Sequence, residues 1–140
     1  PDWVQANKLH MAHWFTVDDL MFLKRGGRIS AATAVVGSML SIKPVLHVDD
    51  EGRLVQVSKT RGRRAALRAL VEKMEQTALD PGSQTVFIGH GDCLDDAEWV
   101  AGEVRRRFGT PEITIAYTSP IIGAHSGPGT LALFFLATGR

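Results

Sequence analysis

Short apolar strands alternate with amphipathic helices along this chain, and that alternation restricts the fold more than any other feature of the sequence. Residues 45–48 and 54–57 flank a polar turn, so they predict a hairpin of two antiparallel strands. Strand–helix–strand connections elsewhere favour parallel neighbours. We therefore predict an α/β fold, a two-layer domain with a mixed sheet of about six strands and helices packed on it. The predicted strands are residues 14–17, 45–48, 54–57, 85–89, 113–117 and 131–137.

Two long segments have the apolar periodicity of amphipathic helices. Residues 61–77 and 94–108 repeat apolar side chains at helical spacing. The sequence Asp80-Pro81-Gly82-Ser83 separates the first helix from the next strand. The side chains expected to face the core are Ala66, Leu67, Leu70, Val71 and Met74 in the first helix and Ala97, Val100, Ala101 and Val104 in the second.

The N-terminal part of the chain predicts further helices. Residues 2–13 have the composition of the later part of a helix, and Asp18-Asp19 can start a helix over residues 20–24. The pair Gly26-Gly27 ends that helix. Ser30 can cap a helix over residues 31–40, which is apolar nearly all round, so we expect it to be buried or to face a ligand.

Composition excludes several classes of protein. A chain of 140 residues with 44% hydrophobic content suits one domain, residues 1–140, with no internal boundary. A net charge of +1 argues against a nucleic-acid binder. The single cysteine, Cys93, excludes an intramolecular disulfide, and no apolar run is long enough for stable membrane insertion, so we expect a cytoplasmic protein. Since Pro1 is preceded by no Met, we interpret the chain as part of a longer protein.

The segment Gly123 to Gly129 combines three glycines, Pro128, His125 and Ser126. Glycine permits positive φ and close backbone approach, and proline fixes one φ, so the segment predicts a shaped loop rather than a helix or strand. Gly123, Gly127 and Gly129 would shape this loop, which presents the imidazole and the hydroxyl. The alternative is a turn in which His125 only satisfies a backbone partner.

A second unusual segment joins Gly26 and Gly27 to Arg28 and then to the predicted cap Ser30. A guanidinium and free backbone N–H groups converging at a helix start attract carboxylate or phosphate. The spacing matches neither a phosphate-binding Walker loop nor a dinucleotide-binding fingerprint. The alternative is a turn between two helices that carries solvated basic residues.

Other conspicuous residues favour structural roles. His90 and Cys93 could be imagined as a nucleophile pair, but near neighbours in sequence seldom reach the required geometry. No histidine has the spacing of a metal site, so we expect no metal and no cofactor. The arginines at 61–64 and 105–107 are interpreted as solvated helix faces.

Taken together, six segments closely resemble the DegV family of bacterial fatty-acid-binding proteins, in the order and spacing of that family. The resemblance covers nearly the whole chain and matches the C-terminal domain of a two-domain protein. Its motifs include Gly26-Gly27-Arg28-Ile29, Ile88-Gly89-His90 and Gly123-Ala124-His125. The matching segments are residues 15–20, 23–30, 37–46, 61–63, 88–90 and 119–129.

The resemblance implies that one long-chain fatty acid is enclosed between this domain and an N-terminal Rossmann-like domain. A separate fatty acid kinase then phosphorylates the carboxylate to an acyl phosphate for phospholipid synthesis, so the chain itself is a carrier and not an enzyme. By the same resemblance, His125 holds the carboxylate, Ser126 stands where the family usually has Thr, and Arg28 lies near the head group. No residue of this chain is expected to be catalytic.

Residue chemistry leaves some alternatives open. The predicted helix 31–40 offers a lining for an acyl chain, although ordinary core packing explains the same residues. Two other functions remain: a hydrolase or acyltransferase with His125 as general base, and a regulatory or nucleic-acid-binding module that uses the arginine clusters. Exposed apolar surface could also make the isolated chain associate with itself. The candidate lining residues are Ala34, Val35, Ser38 and Met39.

Overall fold

A single mixed sheet of six strands organises the protein, for which a computed structural model describes residues 2–30 and 41–140. Across the sheet the strand order is β3-β2-β1-β6-β4-β5. Strands β4 and β5 are parallel, and the other neighbouring pairs are antiparallel. The α/β fold with a mixed sheet is therefore confirmed. The strands are β1 (Met11–Thr16), β2 (Ile42–Val48), β3 (Leu54–Arg61), β4 (Thr85–His90), β5 (Glu112–Tyr117) and β6 (Leu131–Leu136).

Five helices lie in the described part of the chain, and none of them is long and apolar enough to cross a membrane. The two long helices agree with the predicted ones. The predicted helix over residues 31–40, with its candidate lining residues Ala34, Val35, Ser38 and Met39, lies outside the described residues. The helices are α1 (Asp2–Asn7), α2 (Leu20–Arg25), α3 (Arg63–Thr77), α4 (Leu94–Phe108) and α5 (Pro120–Ser126).

One prediction at the N-terminus is wrong in its second half. Residues 2–13 were expected to be helical, but α1 ends at Asn7 and β1 begins at Met11. Strand β1 pairs with β6 along its whole length, from Met11 opposite Leu136 to Thr16 opposite Leu131. This continuous ladder satisfies the backbone of residues 11–13 better than an isolated short helix could.

Helices α3 and α4 cover one face of the sheet and form the main core with it. Their predicted inward side chains are all buried, from Ala66 to Met74 in α3 and from Ala97 to Val104 in α4. They pack against strand side chains such as Trp14, Val86 and Leu133. Burial of this apolar surface supplies most of the driving force for folding.

Among the described residues, those that cover the opposite face of the sheet lie at one end of it. There α2 packs Leu20 and Leu23 against Phe15, Leu46 and Ala132. Beyond this small cluster the sheet carries exposed apolar side chains, and Phe87 in β4 is 47% exposed. An apolar strand face without a covering layer is unusual in a sheet of this size, so this face is where a ligand or another domain can bind.

The glycine-rich segment after β5 is partly helical, which corrects the prediction of an irregular loop. Ser119 caps α5 by accepting a hydrogen bond from the Ile122 backbone N–H, and Pro120 occupies its first turn. Proline at the first helical position costs no hydrogen bond, so it starts this helix instead of breaking one. Gly123 therefore lies inside α5 and does not shape a loop, whereas Gly127, with φ of 81°, ends the helix.

The end of α2 follows the prediction closely. The Gly27 N–H donates to the Lys24 carbonyl and the Arg28 N–H donates to the Leu23 carbonyl, which is the Schellman pattern of helix termination. Gly27 has the required left-handed conformation, with φ of 70°, whereas Gly26 has an ordinary helical φ. The reason for glycine at position 26 is therefore a contact and not a backbone angle.

Arg63 is not a solvated residue as predicted, because it belongs to a chain of ion pairs. Its Nε lies 2.7 Å from Asp96 of α4, and its Nη1 lies 3.4 Å from Asp18, which follows β1. Asp18 also pairs with Lys43 of β2 at 3.0 Å. This series of ion pairs joins the start of α3 to α4, to β2 and to the turn before α2.

Candidate functional site

The face of the sheet opposite α3 and α4, which residues 2–30 and 41–140 leave partly open and which we call the uncovered face, forms a groove with a cavity of about 670 Å³. That volume falls within the range of about 300–1,000 Å³ usual for small-molecule sites. Residues of β1, β4, β5 and β6 form its floor, and the lining is completed by Leu23 of α2, Arg28 after it, Ile122 and Ser126 of α5, and Val48, Gly52 and Leu54 of the β2–β3 hairpin. The lining is mostly apolar, so the groove suits a ligand with a hydrocarbon part.

One row of the floor consists mainly of rings and crosses four strands. His13 of β1 pairs with Phe134 of β6, Phe134 pairs with Phe87 of β4, and Phe87 pairs with Thr114 of β5. We call these four residues the aromatic row. All of them line the cavity. The imidazole of His13 meets the Phe134 ring nearly edge to face, with ring centres 5.3 Å apart.

The next row toward α5 consists of the smallest side chains. Ala132 of β6 pairs with Gly89 of β4, which pairs with Ala116 of β5. We call these three residues the small-residue row. A Cβ at Gly89 would lie 3.5 Å from Phe134 and from Thr118, so a larger side chain there would occupy the cavity. The small side chains of this row leave a depression in the floor beside the aromatic row, which we call the trough.

The end of the groove nearest α5 is built by a close contact between two glycine-containing segments. The His125 imidazole lies directly over Gly26, where any Cβ would overlap its Nδ1 atom. This explains the glycine at position 26, whose own φ would suit any residue. His125 is half-buried and forms no hydrogen bond with a residue that the structure describes.

Two more glycines allow the segment after α5 to approach α2 and Asp18 closely. A Cβ at Gly127 would come within 2.6 Å of the Phe22 ring of α2, and a Cβ at Gly129 would overlap the carboxylate of Asp18. Both glycines have positive φ, so both space and backbone conformation exclude larger residues. Glycine is therefore required at positions 127 and 129 where the segment meets Phe22 and Asp18.

Arg28 and Ser126 line the same end of the cavity. Arg28 donates to the Gly26 carbonyl, and it forms no ion pair with any of the described residues, so most of its donors are available to an anion. The buried Ser126 hydroxyl donates to the Ile122 carbonyl at 2.8 Å. Arg28 and Ser126 thus line the cavity itself, whereas His125 is not among its lining residues and lies beside it, over Gly26. The Arg28 guanidinium makes this end of the groove chemically suitable for an acidic head group.

Several lining residues were missed by the sequence analysis. Gly89, Thr118 and Ser119 line the cavity, as does His13 at the other side of the floor. His13 was missed because the strand that carries it was expected to begin one residue later, at Trp14.

His13 is held in its neutral form by its surroundings. Burial, and then the nearby Arg140 guanidinium, lower the pKa of His13 below its usual value. Nη2 of Arg140 lies 3.4 Å from Nδ1 of His13. The groove floor therefore carries an uncharged imidazole near neutral pH, which suits an apolar ligand better than an imidazolium does.

His90 and Cys93 have structural roles. The buried His90 accepts a hydrogen bond from the Cys93 backbone N–H, and the Cys93 thiol donates to the Thr130 carbonyl. Burial raises the pKa of the Cys93 thiol, so it stays protonated and is a weak nucleophile. Within residues 2–30 and 41–140, no group of three or more His, Cys, Asp or Glu side chains could hold a metal ion.

Acidic partners engage only part of each arginine cluster, because Arg61 and Arg105 are exposed and form no ion pair with a described residue. Arg106 and Arg107 both pair with Glu103 of α4, at 2.8 and 3.5 Å, while Arg63 is held by Asp96. Acidic partners reduce the attraction of these three residues for phosphate, which weakens the case for a nucleic-acid-binding role.

Comparison with known proteins identifies close relatives. A model of the DegV family, described as uncharacterised proteins, matches residues 2–138. A DegV domain-containing protein of Clostridium perfringens is 48% identical over 134 residues, which cover 96% of this chain and 46% of that protein. The chain spans about half the length of the curated relatives it matches.

Solved structures share the fold. A fatty-acid-binding DegV family protein of Streptococcus agalactiae is 29% identical, with a TM-score of 0.79 over 99% of this chain and 48% of that protein. The fatty acid kinase B3 protein of Streptococcus pneumoniae, loaded with linoleic acid, gives a TM-score of 0.87 at 18% identity and covers 96% of this chain and 47% of that one. At that lower identity the likeness shows the fold alone.

The lowered pKa of His13 predicts a specific pH dependence of stability. The unfolded chain takes up a proton at this position near the usual pKa of 6.5, whereas the folded chain does so only at lower pH. The free energy of unfolding should therefore fall as the pH is lowered below about 6.5, until the folded pKa is reached. Urea unfolding at a series of pH values measures this slope. His13→Phe should flatten it, and an unchanged slope in that variant would contradict the prediction.

Proposed function

The chain belongs to the DegV family, and we propose that it binds one long-chain fatty acid along the uncovered face of its sheet. The observation that carries this proposal is the floor of the groove, where the small-residue row lies beside the aromatic row and leaves an apolar trough. Each methylene buried there contributes about 0.8 kcal/mol. Fatty-acid binding by the similar protein of Streptococcus agalactiae supports the same ligand class.

The carboxylate of the fatty acid lies at the end of the groove beside α5. Arg28 supplies the charge that favours the ionised head group, and a guanidinium can bind both carboxylate oxygens at once. The His125 ring, placed over Gly26, adds a second donor on the same side. Ser126 contributes only if its hydroxyl rotates away from the Ile122 carbonyl, because a carboxylate accepts hydrogen bonds and cannot donate them.

A second domain covers the groove in the complete binding protein. Here the groove is open on one side, and Phe87 on its floor is about half exposed. A long acyl chain needs apolar contacts all round to be held out of water. Relatives about twice as long as this chain support a two-domain arrangement. Without the covering domain, the exposed apolar floor would drive self-association.

The chain acts as a carrier that presents the carboxylate to a separate fatty acid kinase. This role extends to the chain what is named for one protein of the same fold, the fatty acid kinase B3 protein of Streptococcus pneumoniae. Two highly exposed apolar side chains lie beside the head-group end of the groove. They are Ile121, which is 74% exposed, and Tyr117, which is 70% exposed. A kinase could therefore approach the carboxylate from that side. Use of His125 as the base of a hydrolase gains no support, because the neighbouring Ser126 hydroxyl donates to a backbone carbonyl instead.

Filling the trough should weaken lipid binding. Gly89→Leu places a branched side chain where the acyl chain would lie, so fatty-acid affinity should fall about tenfold or more, since several buried methylenes lose their contacts. The two-domain protein is expressed in bacteria, and co-purified lipid is quantified by mass spectrometry. Gly102→Leu is the matched control, because position 102 is exposed on α4 with open space around it. Equal lipid content in both variants would refute the proposed position of the chain.

The head-group contacts can be separated from the contacts of the tail. Arg28→Gln removes the charge, and Gly26→Ala displaces the His125 ring without straining the backbone. Both variants should lose the preference for a free fatty acid over its methyl ester, while binding of the ester changes little. Competition with a fluorescent fatty acid measures both ligands, and Gly102→Ala is the control. A preference for the acid that survives in both variants would move the head group elsewhere.

Acyl phosphate formation should require a second protein. With ATP and a purified bacterial fatty acid kinase, the loaded protein should give acyl phosphate, as the carboxylate oxygen takes the γ-phosphoryl group and ADP leaves. Trapping with hydroxylamine measures the product. The loaded protein with ATP alone should give none, and product in that control would mean that the carrier is itself an enzyme.

A further inference from the structure

His13 is a polar residue on the floor of an otherwise mainly apolar groove. It lines the cavity at one end of the aromatic row, next to Phe134. The other side chain of this row that carries a hydrogen-bonding group is Thr114, and two phenylalanines separate it from His13. Val17 follows β1 on the side where the chain continues into α2. At the rise of an extended strand, His13 lies about 13 Å from Val17. His13 is therefore displaced along β1 from the end of the groove where we place the head group.

The surroundings of the ring determine which nitrogen carries the hydrogen. A guanidinium can only donate hydrogen bonds, so Nδ1 of His13, 3.4 Å from Nη2 of Arg140, is the acceptor. Burial and the Arg140 charge lower the pKa of His13, so the ring is neutral and its hydrogen is on Nε2. Nε2 forms no hydrogen bond with residues 2–30 or 41–140. Since the two ring nitrogens point in different directions, the Nε2–H donor is directed away from Arg140.

An unpaired donor in the groove discriminates between ligands. Methylene groups passing over Nε2–H would remove its water without replacing the hydrogen bond, which is unfavourable. An oxygen atom at that point of the acyl chain would restore the bond. A chain carrying such an oxygen therefore gains an interaction that a plain hydrocarbon chain of the same length lacks.

We propose that His13 makes the groove selective for fatty acids that carry a hydrogen-bond acceptor partway along the chain, such as a hydroxyl oxygen. This inference rests on the proposed function, because it assumes that an acyl chain lies in the groove. Arg140 is a positioning residue for this selectivity, since its guanidinium holds the tautomer that presents Nε2–H. His13 acts as the donor, and the aromatic row fixes the plane of its ring.

Binding of stearate and of monohydroxystearates tests the proposal. The two-domain protein is stripped of lipid, and each acid competes with a fluorescent fatty acid at a pH of about 8, where histidine is neutral. A series of isomers with the hydroxyl at different carbons scans the length of the groove. At least one isomer should bind about three- to tenfold more tightly than stearate, the range expected for one hydrogen bond.

Variants of the aromatic row identify the donor. His13→Phe keeps a ring against Phe134 but has no donor, so the ratio of hydroxystearate affinity to stearate affinity should fall to about one. His13→Gln keeps an N–H donor and should retain part of the preference. Thr114→Val is the matched control, because it removes the hydroxyl at the other end of the row and should leave the preference intact.

The outcomes distinguish the inference from the function on which it depends. If stearate and every hydroxystearate bind equally, or if Thr114→Val removes the preference and His13→Phe does not, the role of His13 is refuted while fatty-acid binding stands. If none of these acids binds, the proposed function fails, and this inference fails with it. Loss of the preference in His13→Phe alone, with stearate binding retained, supports the proposal.

Discussion

The close approach of α2 to the α5 segment is the constraint on which this end of the groove depends. Gly26 lies under His125, and Gly127 lies against Phe22. No side-chain volume separates the two segments at these points, so van der Waals contact brings Arg28 and Ser126 to the same end of the groove. Larger residues at these glycines would push the segments apart and separate the groups that form this end.

The two faces of the sheet differ in their packing. Helices α3 and α4 bury one face and supply its stability, so the other face is free to be shaped for a ligand. The pairing register of the strands determines which side chains lie together on the other face. Phe134 pairs with the rings of His13 and Phe87, and Ala132 pairs with Gly89. A shift of β4 by one residue would turn Gly89 toward the helices and close the trough.

Sequence patterns predicted the parts of this fold that depend on local periodicity. The stripes of α3 and α4 and the hairpin of β2 and β3 were predicted because their signals lie within one segment. Helix α5 was missed because glycine and proline usually interrupt helices, although Ser119 and Pro120 together form a helix start. The importance of His13 and Gly89 could not be predicted, since it arises from strand pairing that joins distant segments. The glycine contacts across α2 and α5 are likewise visible only in three dimensions.

Asp18 has a consequence that extends beyond its own ion pairs. Its carboxylate meets Lys43 and Arg63 and also lies against Gly129, so one side chain connects the helix layer, the hairpin and the segment that follows α5. Elements tied together in this way cannot rotate independently. A displacement of any one of them would break an ion pair or a close contact of Asp18, so the three elements share one fixed arrangement at this end of the groove.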